Sequence, residues 1–159
     1  MSPYKLSKNI YRLPFTGAVD VRPAPYHFEK IWQRNAVDFA LAVGKPIFAV
    51  KDGRVFEVVD GRGIGKPNKK CANLANLVII EHQGDEYSEY VHLRKGILVK
   101  EGQQVNSGQI IGYSGVSGYT TYPHLHFGTL VIDSAGDWMT IPTRFRMNGR
   151  VKVLISPKD

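Results

Sequence analysis

The sequence is 159 residues long, carries a formal charge of +7 and contains one cysteine, Cys71. That length suits a single domain with a sizeable core, and a lone cysteine excludes an intrachain disulfide or a cysteine-rich zinc site. A hydrophobic share of 43% and a charged share of 22% are ordinary for a globular chain, while a pI near 9.5 favours an anionic partner such as nucleic acid, an acidic cell-wall polymer or a membrane surface.

No signature of a known nucleic-acid module accompanies the charge, so nucleic acid is not an expected partner. Nothing approaches the roughly 18 consecutive apolar residues of a membrane span, and Met1 to Phe15 lacks the apolar run of a signal peptide. The chain reads as one β domain over 1–159, with 1–20 as an N-terminal extension and 133–159 as a C-terminal strand and tail.

No stretch sustains a 3.6-residue apolar period, so little or no helix is expected. Strand-like runs recur instead. The first, Val37 to Leu41, alternates Val37, Phe39 and Leu41 with Asp38, which a strand turns away from the core. A carboxylate there is a poor choice for packing and a candidate ligand. Pro46 to Val50 and Arg54 to Val59 flank Asp52-Gly53, a hairpin signal. Gly61 to Ala75 comes next as a solvated basic loop with Arg62, Lys66, Lys69 and Lys70, able to touch an anionic polymer.

Leu77 to His82 and Tyr87 to Leu93 flank Gln83-Gly84-Asp85, a longer hairpin. Alternation in the second run puts Val91 and Leu93 on one face and Tyr90 and His92 on the other. His82, at the hairpin entry, reads as a turn or surface histidine. Gln109 to Tyr113 is the next strand, and Ser114 to Tyr122, rich in Gly, Ser, Thr and Tyr, reads as a flexible approach to the two histidines beyond it. His124 to Ile132 opens with Pro123-His124-Leu125-His126-Phe127, in which His124 and His126 share one face while Leu125 and Phe127 face the core. Val151 to Ile155 is the last run. A glycine turn feeding an apolar strand occurs at Val43 to Ile47 and again at Glu101 to Val105, a weak internal echo. Short strands at regular spacing predict an all-β fold, a sandwich or barrel-like pair of sheets.

A hydrolytic zinc site needs three ligands from His, Asp or Glu, a fourth position for water, and a base beside it. The chain offers Asp38 and five histidines: His27, His82, His92, His124 and His126.

In order along the chain, Ala36-Val37-Asp38-Phe39-Ala40, Gly44-Lys45-Pro46-Ile47, Ala49 to Val55, Tyr90-Val91-His92-Leu93, Gly102 to Val105, Gly108 to Gly112 and Pro123 to Phe127 resemble the lysostaphin/LytM-type zinc metalloendopeptidases, which cut bacterial cell-wall peptides. The resemblance covers roughly Tyr11 to Phe145. It implies paired antiparallel sheets in a duplicated hybrid motif, one Zn2+ per chain, peptidoglycan stem or cross-bridge peptides as substrate, and an extracellular or periplasmic location. Carried over by residue, Asp38 and His126 resemble metal ligands, and His92 and His124 the histidines that activate water and stabilise the intermediate. The usual third ligand, a histidine four residues before the aspartate, is replaced here by Arg34, which stays protonated and cannot ligate zinc. His27 is the upstream candidate for that role. Two other readings compete: an inactive relative that binds cell-wall peptide or regulates another hydrolase, and a β-architecture phosphocarrier using two histidines. A phosphoryl relay gives Asp38 no role.

Overall fold

The apolar residues that alternate along three segments near Asp38, His92 and His124 fix the centre of the fold. The computed structural model describes residues 5–63, 65–66 and 68–159. Its strands are β1 (Ile10–Tyr11), β2 (Val21–Arg22), β3 (Val37–Ala40), β4 (Pro46–Phe48), β5 (Gly53–Val59), β6 (Asn76–His82), β7 (Glu86–Leu93), β8 (Gln104–Val105), β9 (Ile110–Tyr113), β10 (His124–Ile132), β11 (Trp138–Ile141), β12 (Thr143–Met147) and β13 (Arg150–Leu154). Helical turns among the described residues are the short 3-10 segments Pro25–Phe28, Ile31–Gln33 and Lys69–Leu74. The expected all-β architecture is what forms.

A large antiparallel sheet runs β2-β3-β10-β7-β6-β5-β8, with β11 continuing along β10. A three-stranded sheet, β1-β12-β13, and a two-stranded one, β4-β9, complete the fold. The core lies between them: Val37, Phe39, Leu125, Phe127, Tyr90 and Ile80 of the large sheet meet Tyr11, Phe145, Ile47 and Ile111 of the small ones. Because side chains alternate, the opposite face of the large sheet is left to Asp38, His126, Glu89 and Val91.

Each of the eight strand runs in the sequence overlaps a strand of the structure. The connection read at Asp52-Gly53 differs. β4 pairs with β9, whereas β5 pairs with β6 and β8, so the chain crosses between sheets there and makes no hairpin. Gly53 serves close packing, since a Cβ on it would stand 2.3 Å from the Glu81 carbonyl oxygen. The second hairpin forms as read, with Gly84 and Asp85 both at positive φ (79° and 59°) between β6 and β7.

His82 is not at the surface. It is buried; its Nδ1 donates to the Asp52 carbonyl (2.8 Å) and its Nε2 lies 2.7 Å from Ser88 Oγ, which lies 2.9 Å from Tyr90 OH. Nor does Ser114 to Tyr122 hang loose. Ser114, Ser117 and Thr120 are buried, the Ser114 hydroxyl donates to the Ala42 carbonyl, and the Ser117 hydroxyl donates to that of Leu93. The basic loop leans on this segment: Gly65 N–H donates to the Val116 carbonyl, and Lys66 bridges to Tyr119. Arg62, Lys66 and Lys70 are exposed, while the side chain of Lys69 lies outside the described residues.

Residues described within 1–20 and 133–159 join the structure. Within 1–20, Tyr11 and Phe15 are core residues, and within 133–159 three strands form where the sequence showed one. The N-terminal segment is fastened through Glu86, a buried carboxylate that accepts from Tyr11 OH (2.8 Å), Asn9 Nδ2 (2.9 Å), Asn9 N–H (3.2 Å) and Lys8 N–H. Removing that acceptor orphans several donors at once. Glu86→Ala should therefore lower unfolding stability by about 2–4 kcal/mol, and Glu86→Gln by less, in urea titration.

Candidate metal centre

Asp38 and His126 face one another because β3 and β10 pair in a register that sets these two residues directly opposite. The Asp38 Oδ1 to His126 Nδ1 distance is 3.1 Å. His27 arrives from the 3-10 turn Pro25–Phe28, its Nε2 3.1 Å from His126 Nδ1 and 3.2 Å from Asp38 Oδ1. All three residues are buried, and the C-terminal segment holds them in place: Ala24 N–H donates to the Pro157 carbonyl and Asp38 N–H to Ser156 Oγ. Arg34, four residues before Asp38, is exposed at the end of Ile31–Gln33 and stands apart from this cluster.

The triangle calls for a cation. The second nitrogen of His126, Nε2, lies 3.2 Å from Glu89 Oε1, an atom that only accepts. With its hydrogen there, neutral His126 turns a bare Nδ1 lone pair toward a carboxylate oxygen. Burial opposes a charge on His126, yet its hydrogen bonds to Asp38 and Glu89 outweigh burial and push its pKa up to about 10. Burial likewise works to raise Asp38, but the bonds from His126 and His27 keep it well below the usual carboxylate range. A proton or a metal ion between these atoms meets the same demand. Donors sharing a tetrahedral zinc at about 2.0–2.2 Å stand about 3.3–3.6 Å apart, so edges of 3.1–3.2 Å need open by only a few tenths of an ångström. The donor set and its spacing fit zinc.

His92 and His124 complete the cluster, their rings 4.6 Å apart. Each Nδ1 meets a backbone carbonyl, Ser117 O at 2.6 Å for His92 and Tyr122 O at 2.8 Å for His124. A carbonyl only accepts, so both hydrogens sit on Nδ1 and both Nε2 atoms are left bare in the neutral rings. His124 Nε2 lies 3.5 Å from Asp38 Oδ2. Burial pushes His92 down to about 3, helped by the neighbouring His124 and His126, and burial also lowers His124.

His92 faces away from the core as expected, but Tyr90 and Val91 do not follow the expected alternation, for an instructive reason. Tyr90 and Leu93 are core, while Val91 and His92 both line the groove. Asn76 pairs with Leu93 and Leu77 with Val91, so His92 is the extra residue of a β-bulge, and its φ of 68° turns the side chain across the sheet. Nothing in Tyr90-Val91-His92-Leu93 announces a bulge.

Two site residues escaped the sequence reading. Tyr26 OH donates to Asp38 Oδ2, and both burial and the Asp38 charge raise the phenol well above its usual value. Glu89 is the other. Tyr26 also meets Tyr119 edge-on, with ring centroids 5.7 Å apart. This pair borders two depressions: a groove of about 350 Å³ floored by Val59, Leu77 and Val91, and a smaller one of about 160 Å³ beside Tyr122 and His124. Adjacent tyrosine and glutamate positions carry no spacing signal that singles them out.

Known proteins resemble this chain in both sequence and fold. Residues 33–137 match peptidase family M23, a stretch that begins after His27. The peptidoglycan DD-endopeptidase ShyB of Vibrio cholerae is 37% identical over 110 residues, covering 69% of this chain and 23% of that protein. A solved structure described as a zinc-containing peptidase from Vibrio cholerae superposes with a TM-score of 0.52 at 35% identity, over 80% of this chain and 36% of the other. The catalytic domain of the antimicrobial peptidase lysostaphin from Staphylococcus simulans gives a TM-score of 0.52 at 29% identity, over 74% of this chain and 80% of that domain. The chain thus spans under a quarter of ShyB. With a match across two-thirds of its length, the chain belongs to peptidase family M23.

Proposed function

We propose that this protein is a zinc-dependent endopeptidase that hydrolyses peptide bonds of bacterial peptidoglycan. The observation that carries the reading is the buried triangle of His27 Nε2, Asp38 Oδ1 and His126 Nδ1, flanked by two histidines with bare Nε2 atoms. Relatives described as peptidoglycan and glycyl-glycine endopeptidases support the substrate class.

His27, Asp38 and His126 would hold one zinc per chain. A bound zinc supplies a Lewis acid for the scissile carbonyl and a water that ionises near neutral pH. The other groups act through protons. As water attacks the carbonyl carbon, the bare Nε2 of His92 or His124 takes its proton and returns it to the leaving amine when the C–N bond breaks. The remaining ring can donate to the developing oxyanion only after gaining a second proton, because a bare nitrogen accepts and does not donate. Tyr26 occupies Asp38 Oδ2 and so leaves Oδ1 as the oxygen within the triangle. The apolar floor of Val59, Leu77 and Val91 suits an extended peptide laid beside the site.

Elemental analysis separates these roles. The purified protein should carry about one zinc. His27→Ala, Asp38→Ala and His126→Ala should each lose it, whereas His82→Ala and Arg34→Ala should retain it. His92→Ala and His124→Ala should keep the metal and lose at least about 100-fold in kcat. A wild-type protein without zinc would favour a role in binding cell-wall peptide without cleaving it.

The products identify the bond. Incubation with insoluble peptidoglycan should release new amino termini and no reducing sugar ends; the reverse would indicate a glycosidase. Exposed Arg62, Lys66 and Lys70 should draw the protein to polyanionic wall polymer, with Lys69 contributing to the same basic loop. Since exposed charges are screened over about 10 Å at 0.1 M salt, sedimentation with walls should weaken as salt rises, and more steeply than for an Arg62→Ala, Lys66→Ala, Lys70→Ala triple variant.

A further inference from the structure

Glu89 stands on β7 directly across from Gly128 of β10, and Gly128 lies two residues beyond His126 on the same strand face. From there its carboxylate reaches diagonally to His126, with Oε1 3.2 Å from Nε2 and the glutamate side chain only 16% exposed. The diagonal path has a condition. A Cβ built on Gly128 would lie 3.2 Å from Glu89 Oε1, 3.5 Å from its Cγ and 3.1 Å from Thr140 Cγ2. Glycine inside a strand weakens it by losing side-chain packing and marks close approach by another group. Here the approaching group is the Glu89 side chain, and its target is the ring that offers Nδ1 to Asp38 and His27.

We propose that Glu89 is the positioning residue of the metal centre: by accepting from His126 Nε2–H it fixes the ring with a bare Nδ1 facing the ion, and Gly128 provides the clearance for it. A carboxylate behind a ligating histidine both orients the ring and makes the ligating nitrogen a better donor. This inference rests on the zinc reading above and extends it to a residue outside the ligand set. Glu89 touches no reacting atom in this role. Its effect is on metal affinity.

The test measures zinc affinity by competition with a chromogenic chelator, for the wild type, Glu89→Ala, Glu89→Gln, Gly128→Ala and the Glu89→Ala/Gly128→Ala pair. Thermal unfolding in EDTA runs alongside as a measure of the metal-free fold. Glu89→Ala should weaken zinc binding about 10–100-fold with little change in the EDTA midpoint. Glu89→Gln keeps a carbonyl oxygen that can accept from Nε2–H and should lose far less. Gly128→Ala should weaken binding in the wild type and add little once Glu89 is alanine, because the two changes disrupt one contact. If Glu89→Ala does not fold, Glu89→Leu, similar in volume and without an acceptor, should show the same loss.

Wild-type affinity in Glu89→Ala would overturn the inference while leaving the zinc reading intact. Equal losses in Glu89→Gln and Glu89→Ala would show that charge alone matters and would overturn the positioning role. A wild-type protein that binds no zinc would overturn the functional reading itself, an outcome distinct from both.

Discussion

The antiparallel pairing of β3 with β10 is the constraint on which the centre depends. It sets Leu125 opposite Phe39 and, one residue along, His126 opposite Asp38. One register therefore serves two purposes: alternate rungs build the core, and the rungs between them build the cluster. A slip of one residue by either strand would turn that strand over, burying its member of the polar pair and exposing its Phe39 or Leu125. The hydrophobic effect that drives Val37, Phe39, Leu125 and Phe127 inward thus also enforces the meeting of a carboxylate and an imidazole, which electrostatics alone would not place so closely.

Around that register, the remaining parts are held by backbone groups more than by each other. Ser117 and Tyr122 present carbonyls to His92 and His124, so the protonation pattern of both rings is set by main chain. Main-chain acceptors cannot change protonation and move little in a packed segment. Gly118, whose added Cβ would stand 2.6 Å from that of Ala75, and Gly115, whose Cβ would press on the Arg94 backbone at 2.6 Å, show how tightly the carbonyl-bearing segment is seated. The glycines and hydroxyls of Ser114 to Tyr122 are there for close packing and internal hydrogen bonds, although their composition resembles that of a mobile loop.

What could be read from sequence was whatever a period-two pattern encodes. Val37 to Leu41 and His124 to Phe127 declared both their strand state and the face of their polar residues, and those assignments hold in the structure. Tyr90 and Val91 did not, because the bulge at His92 depends on how β6 ends against β7, a relation between two strands that neither run contains. His27 was visible as a residue but not as a position: it sits in a 3-10 turn whose location is fixed by Pro157, near the far end of the chain. Tyr26, Glu89 and Gly128 were invisible for the same reason, since each acts across a gap in sequence that only the folded sheet closes. The misread hairpin at Asp52-Gly53 belongs here too. The local signal was sound, but the packing of Gly53 against Glu81 supplied a different reason for that glycine.

The clamp made by Ser156 and Pro157 has a consequence for how the protein comes to life. His27 and His126 are 99 residues apart, and the groups that seat the His27 turn and the Asp38 backbone come later still. Contacts of such long sequence separation form slowly, after the loop-closure entropy has been met. The large sheet can begin to pair through nearer contacts, such as the β6–β7 hairpin, before residues 156 and 157 come to seat the cluster. Completion of the cluster therefore waits on its most distant partners, and the topology itself sets that order.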